Sequence, residues 1–235
     1  MNLAGGLTKA RYRVLVVDAD PQASATKWSL AKGQGSLPFD VITARQLRGQ
    51  FAQLARSADY DIVLIDCPPG VVDPENAAGK VARAAIRECD AVLVPLEPHP
   101  ANFDAAASFV RYLASERQDG QRVLVVINCH RRGTLLGRMA LQQAAILFSP
   151  IPGAKVLETS IGYRESIIEV FGSGKTILDY AAGSAAASEY ISLTKEIIQC
   201  LAATETSASS PQPTSIAPPC LSPASHAPAL MSAAS

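Results

Sequence analysis

The sequence predicts an α/β fold, a doubly wound and mostly parallel sheet with helices on both faces. Four short runs are rich in β-branched residues and apolar on both faces, as strands buried between two helical layers are; they span residues 13–18, 61–66, 91–96 and 122–128. Stretches with helical periodicity lie between these runs. Alternation of strands with helices is typical of a parallel sheet whose connections cross over its faces.

Three stretches carry the clearest helical pattern. Residues 44–57 and 103–117 lie between predicted strands. The last helix, residues 185–201, repeats large side chains at steps of three and four, namely Tyr190, Leu193, Ile197, Ile198 and Leu201. Each such helix has an apolar face with which to cover the sheet.

Composition excludes several classes of protein. The 235 residues include 21 Lys+Arg and 21 Asp+Glu, and 48% are hydrophobic, which excludes wholesale disorder and argues against a constitutively basic nucleic-acid module. Apolar runs are far shorter than the roughly 20 residues of a membrane span, and residues 1–13 lack a signal-peptide pattern. Five scattered cysteines without a C-x-x-C pair argue against a disulfide framework. We therefore expect a soluble, cytoplasmic protein that does not bind a membrane.

The composition changes sharply near residue 202. Of the 34 residues 202–235, 23 are Ala, Ser or Pro, and Glu205 carries the only formal charge. Such a segment buries too little apolar surface to offset its ordering entropy. The sequence thus predicts one folded domain, residues 1–201, and a disordered tail, residues 202–235.

Acidic residues end two of the predicted strands. VLVVDADPQ carries Asp18 and Asp20, and DIVLIDCPPG carries Asp66. Ligands of open parallel sheets bind at the carboxyl ends of the strands, and Mg²⁺ takes carboxylates together with waters and phosphates. The three carboxylates favour a divalent-cation site. The alternative is that each aspartate caps the turn or helix that follows it.

Two functional classes carry such a pattern. A phosphoacceptor receiver domain would need a Lys after the strand at 122–128 and a Ser or Thr after the strand at 91–96. The sequence has Asn128-Cys129-His130 and Glu97-Pro98-His99 there, which disfavours a receiver. The other class is a nucleotide hydrolase, in which one aspartate orients water and another holds Mg²⁺.

Longer motifs resemble the ParA/MinD family of partition ATPases, the deviant Walker group, and within it the compact plasmid-partition type. RVLVVDADPQASATKW resembles the family's second motif, and YDIVLIDCPPG resembles its Walker B segment. AVLVPLEPHPANFDAAA, VLVVINCHRRGTLLGRMALQQA and YRESIIEVFGSGKTILDYAAGSAAASEYISLTKEII resemble later segments in the same order. The resemblance runs from Asn2 to about Leu201 and implies a P-loop NTPase-like fold.

The resemblance implies a role for each site residue. Asp20 would be the catalytic carboxylate that orients water, Asp66 would hold Mg²⁺ through water, and Asp18 would support the segment after its strand. Asn128 matches a position that contacts the adenine of ATP, and its alternative is a loop-capping residue. The implied protein is an ATPase of plasmid or chromosome partition that dimerises around ATP and binds DNA non-specifically on the nucleoid. A ParB-like centromere-binding partner would stimulate hydrolysis and release it.

The front of the family pattern is absent from the sequence. The family opens with a strand and a Lys-Gly-Gly-x-Gly-Lys-Thr loop, whose N–H groups and lysines hold the phosphates, whereas residues 1–7 resemble the helix after that loop. In the family this first strand lies in the middle of the sheet, beside the Walker B strand. Residues 172–176 read G-x-G-K-T, but a helical pattern precedes them, so Gly172 and Gly174 are predicted to end a helix.

Two interpretations of the missing loop remain open. Met1 is an internal methionine of a longer gene product, or the chain is a non-hydrolysing remnant that serves as a regulatory or scaffold protein without nucleotide binding. Loss of a central strand leaves buried backbone groups unpaired, at roughly 1–3 kcal/mol each. We therefore predict that the 235-residue chain binds ATP poorly and folds marginally.

One stretch is strongly basic within the neutral whole. Between Asp119 and Glu158 there is no acidic residue and a local charge of +5. Such a stretch favours contacts with DNA phosphates, and its alternative is a solvated helix face. The predicted DNA contacts are Arg131, Arg132 and Arg138.

Overall fold

The fold consists of a seven-stranded parallel sheet with helices on both faces, which confirms the predicted α/β class. The computed structural model describes residues 1–31, 37–47, 51–54, 59–68, 76–131, 133–203 and 229–234. Its strands are β1 Val14–Asp18, β2 Asp40–Thr43, β3 Ile62–Cys67, β4 Ala91–Leu96, β5 Arg122–His130, β6 Lys155–Gly162 and β7 Ala229–Ala234. They lie in the order β2-β1-β3-β7-β4-β5-β6, and every pairing is parallel.

The helices alternate with the strands along the chain. They are α1 Asn2–Lys9, α2 Ser24–Leu30, α3 Ala44–Leu47, α4 Phe51–Leu54, α5 Ala77–Glu88, α6 Pro100–Glu116, α7 Leu135–Phe148, α8 Glu165–Glu169, α9 Ile177–Tyr180 and α10 Ala185–Ala202. The helix predicted at 44–57 appears as α3 and α4, and the rest of that stretch, residues 48–50 and 55–57, lies outside the described residues. Side chains that cap the first turns fix where three helices begin: Asn76, Thr134 and Ser184 each accept an N–H bond from the first turn.

Side chains alternate between two cores because successive residues of a strand point to opposite faces. One core contains Val17, Ile65 and Val94 of three different strands, together with Phe109 of α6. The other core contains the preceding or following residues of the same strands, packed against α1 and α10. β1, β3 and β4 are therefore buried on both sides, which is why nearly all of their positions are apolar, apart from Asp18 and Asp66 near the carboxyl ends.

The centre of the sheet differs from the sequence-based expectation. Ala229–Ala234, part of the segment assigned to the tail by composition, forms β7 between β3 and β4. It pairs with β3 along its whole length, from Ile62↔Ala229 to Cys67↔Ala234. The physical reason is that β3 and β4 present backbone N–H and C=O groups that need partners, and a parallel strand of any composition supplies them. Residues 204–228 lie outside the described residues.

Helix α1 packs closely against two threonine side chains, that of Thr194 on α10 and that of Thr176, which precedes α9. A Cβ built on Gly6 would overlap the Thr194 hydroxyl and lie 3.2 Å from Thr194 Cβ. A Cβ on Gly5 would lie 2.7 Å from Thr176 Cγ2. Both glycines are therefore required by close approach rather than by a turn.

Replacing Gly6 by alanine is expected to lower the free energy of unfolding by about 1–3 kcal/mol, because the added methyl group overpacks the contact with Thr194. The gain of up to about 1 kcal/mol from alanine within a helix opposes this loss. Adding Thr194→Ala makes room, so the double variant should regain part of the stability in urea unfolding. Gly183→Ala is the control, since nothing lies within 4 Å of its Cβ position. Equal losses in the single and double variants would contradict the overlap.

Helix α10 is tied to β6 by carboxylates that accept backbone N–H bonds. Glu196 accepts from Glu158 (2.7 Å) and Thr159 (2.9 Å), and Glu189 accepts from Gly162 (3.0 Å). Burial raises the pKa of Glu196, but the hydrogen bonds from Thr159 and Glu158 lower it by more, so its net pKa lies below the ordinary value. The folded state therefore prefers the ionised carboxylate.

Glu196→Gln is expected to lower the free energy of unfolding by about 1 kcal/mol near neutral pH, because two charge-assisted hydrogen bonds become weaker. A depressed pKa contributes stability that is present above the unfolded-state pKa and is lost as the pH falls through the folded-state pKa. The difference between wild type and variant should therefore shrink between about pH 5 and pH 3 in chemical unfolding. Glu158→Gln, at an exposed position, is the control with the same change of charge. A difference that does not vary with pH would contradict the assignment.

Candidate functional site

Two aspartates meet at the carboxyl edge of the sheet. Asp18 ends β1 and pairs in register with Asp66 on β3. The backbones of neighbouring strands lie about 4.8 Å apart, so the two residues are adjacent. One residue further, the Ala19 N–H donates to the Asp66 carbonyl oxygen at 2.8 Å and extends the pairing past the end of β1. This in-register pair of aspartates is the core of the candidate site.

Asp18 is buried, and only one of its two carboxylate oxygens has a hydrogen-bond partner among the described residues. Its side chain is part of a residue that is 3% exposed, and its Oδ2 accepts both the N–H and the hydroxyl of Thr26 at 2.7 Å. Since Thr26 lies in the first turn of α2, this carboxylate fixes the start of that helix. The other oxygen, Oδ1, is buried and has no hydrogen-bond partner among the described residues. A buried acceptor of this kind is suited to a donor or cation from outside the chain.

Asp20 organises the turn between β1 and α2. Its Oδ1 accepts the Gln22 N–H at 2.8 Å, and its carbonyl oxygen accepts the Ala23 N–H at 2.9 Å. Ala23 has a φ of 54°, in the left-handed region, immediately before α2 begins. Both Asp18 and Asp20 thus make the capping contacts that the sequence left open as an alternative to cation binding.

The three carboxylates do not form a direct metal cage. Within the described ranges, no group of three His, Cys, Asp or Glu side chains is placed to hold a metal ion. Mg²⁺ commonly keeps several waters and takes only one or two carboxylates, so a hydrated ion fits this edge better than a fully liganded one. The unpartnered Oδ1 of Asp18 is the atom that fits such an ion, as an acceptor for one of its waters.

A cavity of about 640 Å³ opens near the same edge, on the other side of β7. Asn128 lines it, together with Glu97, Asn102 and the first residues of α1. Burial lowers the pKa of the Met1 amino group while the Asp66 carboxylate opposes this shift, which places the start of α1 within electrostatic reach of Asp66. The start of α1 therefore lines the cavity and is within the electrostatic influence of Asp66.

Asn128 lies farther from the carboxylates than a compact site requires. It belongs to β5, which continues to His130 rather than ending at residue 128 as predicted. In the order β3-β7-β4-β5, three strand spacings of about 4.8 Å separate it from Asp66. Asp18, Asp20 and Asp66 do not line the cavity that contains Asn128. A ligand that contacts both groups must extend along the edge of the sheet.

Two polar residues of the cavity were not predicted as site residues. Asn102 donates through Nδ2 to Glu97 Oε2 at 3.2 Å, just beyond the carboxyl end of β4. Burial, and next the Glu97 carboxylate, raise the pKa of the Cys129 thiol. Glu97 and Asn102 follow the buried strand β4. This position was the sequence signal that could have identified them as site residues, since polar residues at the carboxyl edge of a parallel sheet face ligands.

The G-x-G-K-T segment is a turn, as predicted. A 3₁₀ helix spans Val170–Ser173, and Gly174 follows it with a φ of 66°. Gly172 lies inside the 3₁₀ helix and has no positive φ, so of the two glycines predicted to end a helix, Gly174 does so in left-handed geometry. The Trp28 Nε1–H donates to the Lys175 carbonyl oxygen at 2.8 Å, which fixes the turn against α2.

Two of the three predicted DNA contacts are exposed. Arg131 stacks over the Tyr163 ring, with its Cζ 4.2 Å from the ring centroid. Arg138 on α7 donates to the Gly133 carbonyl oxygen at 3.1 Å. Both guanidinium groups are thus oriented on one surface beyond the end of β5, and Arg132 lies outside the described residues. Among the helices that the structure describes, none is long and apolar enough to cross a membrane.

Two curated relatives match most of the chain. It is 26% identical over 205 residues to the maintenance of carboxysome distribution protein A of Halothiobacillus neapolitanus, covering 84% of this chain and 88% of that one. It is also 26% identical over 230 residues to the chromosome-partitioning ATPase Soj of Thermus thermophilus, with the same coverage. One name refers to carboxysome distribution and the other to chromosome partitioning, and this chain is equally identical to both proteins.

A solved structure and a family model agree with these relatives. The MinC:MinD cell division protein complex of Aquifex aeolicus has the same fold, with a TM-score of 0.64 at 15% identity over 84% of this chain and 88% of that chain. The model of the CobQ/CobB/MinD/ParA nucleotide binding domain matches residues 1–177. The resemblance to the ParA/MinD family is therefore confirmed, and the chain belongs to the CobQ/CobB/MinD/ParA nucleotide binding domain family.

Proposed function

We propose that the chain is a ParA-type ATPase that positions a cargo, forming a homodimer on ATP and binding DNA non-specifically in the cytoplasm, on the nucleoid. The observation that carries this proposal is the in-register pair Asp18–Asp66 with the unpartnered Oδ1 of Asp18. In this assignment Asp20 orients the attacking water and Asp66 holds Mg²⁺ through water. Asp18 fixes the start of α2, and Asn128 contacts the adenine.

The cargo in this proposal is a plasmid or chromosome, with a ParB-like DNA-bound partner that stimulates hydrolysis. The name of the Thermus thermophilus relative supports a replicon as cargo. A protein compartment is the second candidate, because the carboxysome-distribution relative is equally identical over a similar share of the chain. Pull-down with the products of neighbouring genes distinguishes the two cargoes.

Calorimetric titration with Mg²⁺-ATP tests the nucleotide site. The sequence holds the carboxylates but no Lys-Gly-Gly-x-Gly-Lys-Thr segment. We expect weak binding by the 235-residue chain, since backbone N–H groups and lysines of that loop hold the phosphates in this family. A form extended by in-frame upstream codons that encode the loop should bind tightly. Tight, Mg²⁺-dependent binding of ATP by the 235-residue chain would show that the phosphate loop is not needed and would overturn this expectation.

The second candidate function is a regulatory or scaffold protein that does not bind nucleotide. One observation favours it: the place between β3 and β4, which a strand leading into the phosphate loop occupies in the family, is filled here by β7. A stop codon directly upstream of Met1 would support this candidate. An upstream loop that binds ATP would exclude it.

Charge reversal tests DNA binding by the exposed arginines. Arg131→Glu and Arg138→Glu should each weaken DNA binding, and each variant should do so by the same factor for duplexes of unrelated sequence. The slope of the logarithm of the binding constant against the logarithm of the salt concentration should fall by about one phosphate contact. Arg11→Glu is the matched control, because Arg11 is exposed and precedes β1 at the opposite edge of the sheet. Fluorescence anisotropy with two duplexes of different sequence measures the effect. Unchanged affinity in both variants would remove this surface as the DNA contact.

A further inference from the structure

The gap between β3 and β4, called here the central slot, is the feature from which we infer a role for the C-terminal segment. β3 is buried, and on the side away from the slot its residues Ile62–Asp66 pair with β1. On the side of β4 away from the slot, its residues Ala91–Leu96 pair with β5. Without a strand in the slot, the facing N–H and C=O groups of both strands would lack ladder partners, which is costly inside a protein.

The fit of β7 in the slot is incomplete. β7 pairs with all six residues of β3, but with β4 only at Ala91, Val92 and Leu93. The cavity of about 640 Å³ begins where the pairing with β4 stops. Its lining includes Val94 from one core and Val126 from the other, so it passes through the plane of the sheet. β7 is therefore paired along its whole length on the β3 side of the slot and along half of its length on the β4 side.

The chain path allows its own tail to fill the slot. Lys155 at the start of β6 contacts Cys200 near the end of α10, with 3.2 Å between Nζ and Sγ, so α10 ends at the amino edge of the sheet. β7 is parallel to its neighbours and begins at that same edge, at Ala229 opposite Ile62. Three strand spacings, about 15 Å, separate β6 from β7. The 26 residues 203–228 extend to roughly 85 Å at most, far more than is needed.

The sequence of the segment suits a central strand in one respect. Residues 202–228 contain all six prolines of the last 34 residues, the last of them Pro228, and residues 229–234 contain none. Proline cannot donate to a ladder and is confined to edges, bulges and strand starts. The proline-free, uncharged stretch is the one that lies between two strands.

From these observations we propose that the central slot is a strand-binding site, filled by Ala229–Ala234 of the same chain as a displaceable strand. The tether of 26 residues supplies the segment at a high effective concentration. β7 pairs with only half of β4, and a cavity lies beside the unpaired half. A second extended, uncharged and proline-free segment can therefore compete with β7 for the central slot. This proposal does not depend on nucleotide binding.

Disulfide trapping in the full chain tests the proposal. Ala234 pairs with Cys67, and adjacent strands place paired Cα atoms within the range that a disulfide spans. Under mild oxidation, Ala234→Cys should form an intramolecular bridge to Cys67 at least about tenfold faster than the control Ala229→Cys, because Ala229 lies opposite Ile62 at the other end of the strand. Mapping of the linked peptides identifies the bridge.

Competition tests whether β7 is displaceable. A synthetic peptide of residues 228–235, added well above the effective concentration of about 1 mM that a tether provides, should slow the bridge about tenfold. The same peptide with proline in place of Met231 should not. Equal bridging at positions 229 and 234, or bridges only between two molecules, would overturn the self-supplied strand. A bridge that the peptide does not slow would overturn displacement.

Discussion

Replacing Met231 by proline is expected to lower the free energy of unfolding by about 3 kcal/mol or more. Met231 pairs with Leu64 on one side and Ala91 on the other, in the half of β7 that has neighbours on both edges. Proline removes the backbone N–H from this ladder and places a ring where the adjacent strand approaches. Since domains of this kind are stable by only about 5–15 kcal/mol, the loss should be plain in urea unfolding.

A conservative variant separates the backbone effect from a change of side chain. Met231→Leu keeps the N–H and nearly the same volume, so its stability should stay within about 1.5 kcal/mol of the wild type. Hydrogen exchange gives a second measurement: amides of β3 and of Ala91–Leu93 should lose protection in the proline variant while β5 and β6 retain theirs. Superimposable unfolding curves for wild type and the proline variant would show that β7 does not support the sheet.

Under the proposed function, Asp20→Asn is expected to lower the rate of ATP hydrolysis about 100-fold or more in a form of the chain extended by the phosphate loop. An amide lacks the negative charge with which the carboxylate would orient the attacking water, yet its oxygen still accepts the Gln22 N–H that shapes the turn. ATP binding should therefore change little. Loss of rate at constant affinity is the signature of a group that acts in the transition state.

The matched control for Asp20 is Asp119→Asn, which removes the same charge from an exposed position just before β5. Its hydrolysis rate should equal that of the wild type. Single-turnover measurement of phosphate release, with binding followed separately by calorimetry, distinguishes the two steps. A variant at Asp20 that loses binding and hydrolysis together would show a structural role for the turn instead.

Residues buried on both faces made four strands predictable. The runs at 13–18, 61–66, 91–96 and 122–128 match β1, β3, β4 and β5 within two residues, because burial between two helical layers leaves only apolar positions. β2 and β6 escaped prediction since both are edge strands, and β2 has no buried residue. A lower apolar content at the edges of a sheet erases the periodic signal.

β7 was not predictable from local sequence. Alanine and serine have little preference for strands, and β7 exists through its pairing with chain segments far away along the sequence. The same limit applies to the site. Asp18 and Asp66 were identifiable from their places at strand ends, but the unpartnered Oδ1, the capping contact with Thr26 and the cavity depend on packing. Glu97 and Asn102 follow a strand as the aspartates do, and only the cavity sets them apart.

The position of β7 fixes the order in which the sheet is completed during synthesis. Its partners run from Ile62 to Leu93, whereas Ala229–Ala234 leaves the ribosome after the six other strands that the structure describes. Contacts over so long a separation form late and slowly. Until then, β3 and β4 lack β7 as a pairing partner, and apolar strand edges without a partner are templates for pairing with other chains. The interval between the emergence of β4 and that of β7 is therefore when this protein is most exposed to aggregation, and chaperone capture should be strongest there.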